Sequence, residues 1–245
     1  MLHSESPVYP LARKVAAHGL GAAALAGFLG WTLADLFHLS PWAPVLAAGV
    51  VVLTLVAAEP ARRRAGTTRF GPANRITLAR SVLVGAVAAF LGSPGGEAHA
   101  VWVTGAATIA LVMDGLDGLV ARKTGLDSDY GAQLDMELDS LSMLVLSLIT
   151  WQWDTAGPWV LFCGLARYAF LLAGHTWPWF ARPLPPVFRR KTCCVIGIGG
   201  LTAALWPWPW AGLGTALAGA ATGALFLSFA VDTVWLVQRR TEARP

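Results

Sequence analysis

Apolar residues run along this chain in long blocks separated by short polar, Gly-rich or Pro-rich pieces. Blocks of spanning length fall at about 15–37, 42–58, 74–93, 99–122, 131–152, 157–177, 191–207 and 211–237, and a helix needs roughly 20 apolar residues to cross the bilayer core. The pattern predicts an all-α, polytopic membrane fold of about eight helices. Polar positions inside the fourth and fifth blocks keep the helical period. Asp114, Asp117, Gly118, Ala121 and Arg122 fall at i, i+3, i+4, i+7 and i+8, and Gly131, Asp135 and Asp139 at i, i+4 and i+8, so each set lies on one helix face. Lys123, Thr124 and Gly125, followed by Asp127, Ser128 and Asp129, break the apolar pattern between them. This short connection makes the two helices antiparallel neighbours with their polar faces opposed.

Composition agrees with a membrane chain. Of 245 residues, 56% are hydrophobic and 13% charged, and the mean hydropathy is +0.57. Charge adds the orientation. In an alternating eight-helix arrangement all 18 Lys and Arg residues fall on one side, while the opposite loops near 92–99, 152–157 and 207–212 carry none. Both termini are therefore expected in the cytoplasm, with the chain in the cytoplasmic (inner) membrane. Trp151, Trp153, Trp159, Trp206, Trp208 and Trp210 flank the outer loops as an interfacial belt. The net charge of +4 reports orientation and anionic-lipid contact, and no basic-aromatic groove motif points to nucleic acid. The first block follows Arg13 and Lys14 as a signal peptide would, but its removal would spoil the charge alternation, so it is expected to be retained. Cys163, Cys193 and Cys194 lie in predicted spans without metal-ligand spacing and read as small buried residues. His38 and His175 read as interfacial. The segment 62–66 reads as a linker, which divides the chain into an N-terminal hairpin at 1–60 and a six-helix remainder at 61–245.

The acidic residues carry the chemistry. Residues 114–139 hold seven of the chain's 14 Asp and Glu. A carboxylate at mid-bilayer costs roughly 2.5 to 3.5 kcal/mol on insertion scales, so a cluster of them needs a compensating partner. Oxygen ligands without His or Cys suit Mg2+ or Mn2+ rather than zinc. Asp114 lies about 12 Å deeper than the boundary marked by Arg122 and Lys123, which describes a cavity open to the cytosol. Two cations there would neutralise a pyrophosphate and its leaving phosphate while a spare carboxylate takes a proton from a hydroxyl. The small residues Gly118, Ala121 and Gly131 serve either helix packing or close approach to a ligand.

Asp114, Asp117, Gly118, Ala121, Arg122, Gly131, Asp135 and Asp139 fit DxxDGxxAR(x8)GxxxDxxxD at every fixed position. This resembles the signature of the CDP-alcohol phosphotransferase (CDP-alcohol phosphatidyltransferase) family, integral membrane enzymes of phospholipid synthesis, over about residues 70–240. The resemblance implies that Asp114, Asp117, Asp135 and Asp139 hold two metal ions, Mg2+ or Mn2+, with Asp139 also the general base. It implies CDP contacts for Gly118, Ala121 and Arg122. Asn74 and Thr77, in a segment similar to the family's entry to its first core helix, and Ser128 in the connection would join them; Ala73, between Pro72 and Asn74, departs from that entry pattern. Arg190, Lys191 and Thr192 resemble the entry to the fifth core helix, part of the acceptor pocket, although the positive-inside rule also places Arg189, Arg190 and Lys191 there. Arg167, inside a span, would pair with a carboxylate or an anionic substrate. Arg80 and Asp232, near helix ends, would snorkel or pair with one another.

The expected activity is transfer of a phosphatidyl group from CDP-diacylglycerol to an alcohol with release of CMP, glycerol 3-phosphate being the first choice of acceptor because Arg167 and the basic residues near 190 favour a phosphate. Membrane lipids are further partners, and a homodimer is allowed. The reverse arrangement, a CDP-linked polar alcohol attacked by diacylglycerol, uses the same motif. An ion-coupled transporter is the remote alternative.

Overall fold

The computed structural model describes residues 8–64, 71–124, 128–177, 179–180, 182, 184 and 188–239, leaving out the side chains of 8–14, 116–124 and 188. Among the described residues the chain is all-helical, with eight α-helices, one short 3-10 helix and no strand. The helices are α1 (Val8–Phe37), α2 (Ala43–Arg64), α3 (Pro72–Ala88), α4 (Glu97–Thr124), α5 (Asp129–Gln152), α6 (Leu161–Thr176), α7 (Phe188–Ala204) and α8 (Leu213–Gln238).

Each expected span corresponds to one helix. Their lengths differ from the apolar blocks where Gly and Pro intervene. α3 starts with Pro72 in its first turn, where a missing N–H costs nothing, and ends before Gly92, whose φ of 81° belongs to the left-handed region. Pro158 opens the 3-10 helix Pro158–Val160 ahead of α6. α1 stops at His38, which takes the left-handed φ of 53°. Among the described residues four helical stretches, Val15–Phe37, Ala43–Arg64, Glu97–Gly115 and Leu213–Gln238, are long and apolar enough to cross a membrane. α3, α6 and α7 have 17, 16 and 17 residues. That is about 25 Å at 1.5 Å per residue, slightly less than the hydrocarbon core. α5 is a continuous helix of 24 residues whose apolar run is broken by its own acids.

Large apolar side chains face outward along these helices, among them Leu20, Val56, Ile109, Leu172 and Phe226. Such continuous exposure is untenable in water and is the normal lipid-facing surface of a bilayer helix. Trp151, Trp159, Trp206, Trp208 and Trp210 are exposed too, as an interfacial belt requires. The chain is a multi-pass membrane protein.

The helices form two compact units, residues 1–141 and 142–245, with the boundary inside α5. In the first unit α1, α2 and α3 pack on one another and α3 packs on α4. Small residues make this possible. A Cβ on Gly30 would lie 2.8 Å from the Ala43 carbonyl oxygen and 2.9 Å from the Ala47 Cβ, and one on Gly85 would strike the Ala47 backbone. Ala47 of α2 is thus wedged between α1 and α3, the close approach expected where lipid offers no hydrophobic drive to association. Phe37, Phe90, His99 and Trp102 close one end with ring centroids 5.2 to 6.4 Å apart. In the second unit α7 packs along α8, and α6 meets α8 through Phe162, Phe226 and Phe229.

Candidate active site

The candidate site of the first unit is built from α3, α4 and α5. On α5 the start is fixed locally: Ser128 Oγ accepts a hydrogen bond from the Gly131 N–H at 3.1 Å, a side-chain cap, and Asp129 lies in the first turn where the helix dipole favours an acid. Asp135 and Asp139 then follow Gly131 at one-turn intervals. Asp114 projects from α4 and is buried, 7% exposed. One carboxylate oxygen from each of Asp114, Asp135 and Asp139 lies within 4.8 Å of the others.

Arg80 of α3 joins them. Its Nη1 lies 2.9 Å from Asp114 Oδ1 and donates to Asp135 Oδ1 at 2.5 Å, while Nη2 donates to Asp139 Oδ1 at 2.9 Å. Its Nε donates to the Ala110 carbonyl of α4 at 3.2 Å, and the residue is 2% exposed. This corrects the expectation that Arg80 snorkels or pairs with Asp232. A guanidinium that reaches one buried and two half-buried carboxylates gains more there than from extending toward an interface, since an acid taken out of water without a partner bears its desolvation cost.

The same face of α3 carries the nucleotide-contact candidates. Asn74 and Thr77 are buried, at 5% and 3% exposure. Thr77 Oγ1 donates to the Ala73 carbonyl at 3.2 Å. Asn74 abuts the start of α5: a Cβ on Gly131 would lie 2.6 Å from Asn74 Oδ1 and 3.2 Å from Ser128 Oγ. The structure therefore brings Asn74, Ser128 and Gly131 together, and glycine is what lets α3 and α5 come this close. The helix α4 carries Asp117, Gly118, Ala121 and Arg122, whose side chains lie outside the described residues. Glu137, buried at 6%, was missed by the sequence reading. It accepts from Gln133 Nε2 at 2.5 Å along the same helix, and a one-turn Gln/Glu pair is the signal that could have shown it.

The acceptor candidates belong to the second unit. Arg189 donates through Nη1 to the Ser228 carbonyl and hydroxyl, each at 2.7 Å, and through Nη2 to Asp232 Oδ1 at 2.5 Å. Arg190 Nε donates to Asp232 Oδ2 at 2.9 Å. Asp232 is the sole acid between Asp154 and Glu242, which was the available sign that it must serve the basic residues of α7. Lys191 is exposed and Arg167 is half-buried on α6.

The donor set of the first unit is carboxylate oxygen alone among the described residues, which fits a hard divalent cation and not a soft one. Three acids against one guanidinium leave a net negative charge for such an ion to neutralise. No curated protein and no solved structure matches the chain. The family model for CDP-alcohol phosphatidyltransferase matches residues 70–234, about two-thirds of the chain, from two residues before α3 to Val234 of α8, and so takes in every motif residue named above. With the aspartate cluster inside that match, this chain belongs to the CDP-alcohol phosphatidyltransferase family and is a transferase.

Proposed function

We propose that the protein transfers the phosphatidyl group of CDP-diacylglycerol to an alcohol, releasing CMP, and that the reaction opens to the cytoplasmic side of the inner membrane. The observation that carries this reading is the convergence of Asp114, Asp135 and Asp139 in the helical interior of the first unit, inside the family match.

Asp114, Asp135 and Asp139, together with Asp117 by the motif, would hold two Mg2+ or Mn2+ ions. Bound there, the ions supply charge neutralisation to the diphosphate and its leaving group. Asn74, Thr77, Gly118, Ala121, Arg122 and Ser128 would hold the CDP moiety; Gly131 keeps the space beside Asn74 open. Asp139 would take the proton of the acceptor hydroxyl. As the acceptor oxygen forms its bond to the lipid-side phosphorus, the bond from that phosphorus to the CMP oxygen breaks, and the electron pair leaves with CMP. Arg167, Arg190 and Lys191 would bind a phosphate on the acceptor, for which glycerol 3-phosphate is the first candidate. Asp232 then fixes the direction of the Arg190 guanidinium. The family membership leaves the ion-coupled transporter reading without support.

The test is an acceptor screen with radiolabelled CDP-diacylglycerol and purified protein in nanodiscs. Label should pass to a phosphorylated alcohol with stoichiometric CMP. Transfer to a non-phosphorylated alcohol would overturn the acceptor assignment. Label transfer only from a CDP-linked polar alcohol to diacylglycerol would reverse the donor.

A further inference from the structure

We infer that Arg80 is a built-in counter-ion of the aspartate cluster, which keeps the three carboxylates assembled when no cation is bound and thereby weakens the cluster's hold on a divalent cation. The inference rests on the reading of this cluster as a metal site.

Three observations lead to it. The guanidinium spans all three described carboxylates, at 2.9 Å from Asp114, 2.5 Å from Asp135 and 2.9 Å from Asp139, so it stands where like charges would otherwise repel. It is anchored from the other side by the Ala110 carbonyl and is 2% exposed, which denies it a route to solvent. Each of the three helices supplies a part: α3 the cation, α4 Asp114 and the carbonyl, α5 the other two acids. The positive charge therefore belongs to the folded bundle as much as the acids do.

A carboxylate offers about four lone-pair positions, so accepting one or two N–H groups does not saturate it. Arginine and a metal ion can share the same acids, and Arg80 has no need to leave. Their mutual repulsion nevertheless acts across a few ångströms in a medium of low dielectric. The apo cluster is stabilised by the guanidinium, and the loaded cluster is opposed by it. Removing Arg80 should shift both in opposite directions, a signature that a residue concerned only with shape would not give.

The experiment uses the full chain in detergent and reads Mn2+ binding from the free-ion electron paramagnetic resonance signal, with the melting temperature in EDTA and in Mn2+. Arg80→Gln should melt lower than the wild type in EDTA, bind Mn2+ about tenfold more tightly, and gain more melting temperature from Mn2+ than the wild type does. Arg80→Lys, which keeps the charge, should bind Mn2+ nearly as the wild type. Unchanged or weaker Mn2+ binding by Arg80→Gln overturns the inference. If Arg80→Gln does not stay folded in EDTA, the double variant Arg80→Gln/Asp135→Asn removes one charge of each sign. It should recover most of the lost melting temperature, and a double variant as unstable as the single one also overturns the inference. Asp114→Ala separates the two levels. Wild-type binding that is lost in Asp114→Ala but untouched by Arg80→Gln refutes Arg80 alone, whereas a wild type that binds no Mn2+ refutes the metal reading and this inference with it.

Discussion

In the first unit three carboxylates gather on one guanidinium; in the second, two guanidiniums gather on one carboxylate. Both clusters solve the problem of charge in an apolar helix bundle by pairing, and both leave a residue of charge, negative around Arg80 and positive around Asp232. Pairing alone would need equal numbers. The imbalance gives the two clusters opposite electrostatic preferences, which is what the proposed function uses, a cation at the first and an acceptor phosphate at the second. Burial differs in the same sense. The minority charge is the more buried in each case: Arg80 has a side chain 3% exposed against 9 to 32% for its acids, and Asp232 10% against 32 to 34% for its arginines. The majority charges are the ones left partly exposed.

The largest effect should come from removing an acid of the negative cluster. Asp139→Asn keeps the shape but cannot take a proton, and should lower the turnover number by about a thousandfold with CDP binding retained. Near-normal turnover in a steady-state assay would remove Asp139 from the chemistry. Neutralising the minority charge of the other cluster should act on stability instead. Asp232→Asn leaves two partly buried arginines without their acid and should cost about 1 to 2 kcal/mol, reduced from the fully buried case because both partners reach solvent. A melting curve in detergent reads this directly, and an unaltered melting temperature would show the pair to be idle.

A smaller and more selective effect is expected from the majority charges of that cluster. Arg190→Gln should raise the KM for a phosphorylated acceptor about tenfold while leaving the KM for the CDP-lipid unchanged, and Lys191→Gln, on an exposed side chain, should do less. Equal changes in both constants would reduce these residues to their topological role. The smallest effect should follow loss of the hairpin. A chain starting at Arg62 retains both clusters, and should keep CMP release within about threefold while melting lower, because lipid can replace much of the packing of α1 and α2 on α3. A folded but inactive truncation would show that the hairpin shapes a substrate path.

Sequence alone determined the helices and the faces. Their number follows from apolar length, and the break between α4 and α5 follows from the polar run around Ser128. The alignment of Asp135 and Asp139 follows from a period fixed by local geometry. Spacing also placed Asp114 on the face that meets them. What it could not show was the partner of each charge. Arg80 is 55 residues from Asp135 and 59 from Asp139, and Arg189 is 43 from Asp232. A helical period gives the direction of a side chain about its own axis, but not the rotation and depth of one helix against the next. Those are set by packing at positions such as Gly85 on Ala47 and Gly131 beside Asn74, where the absence of a Cβ decides how near two helices come. Sequence therefore named the acids of the site, and tertiary structure decided that an arginine from a third helix stands among them.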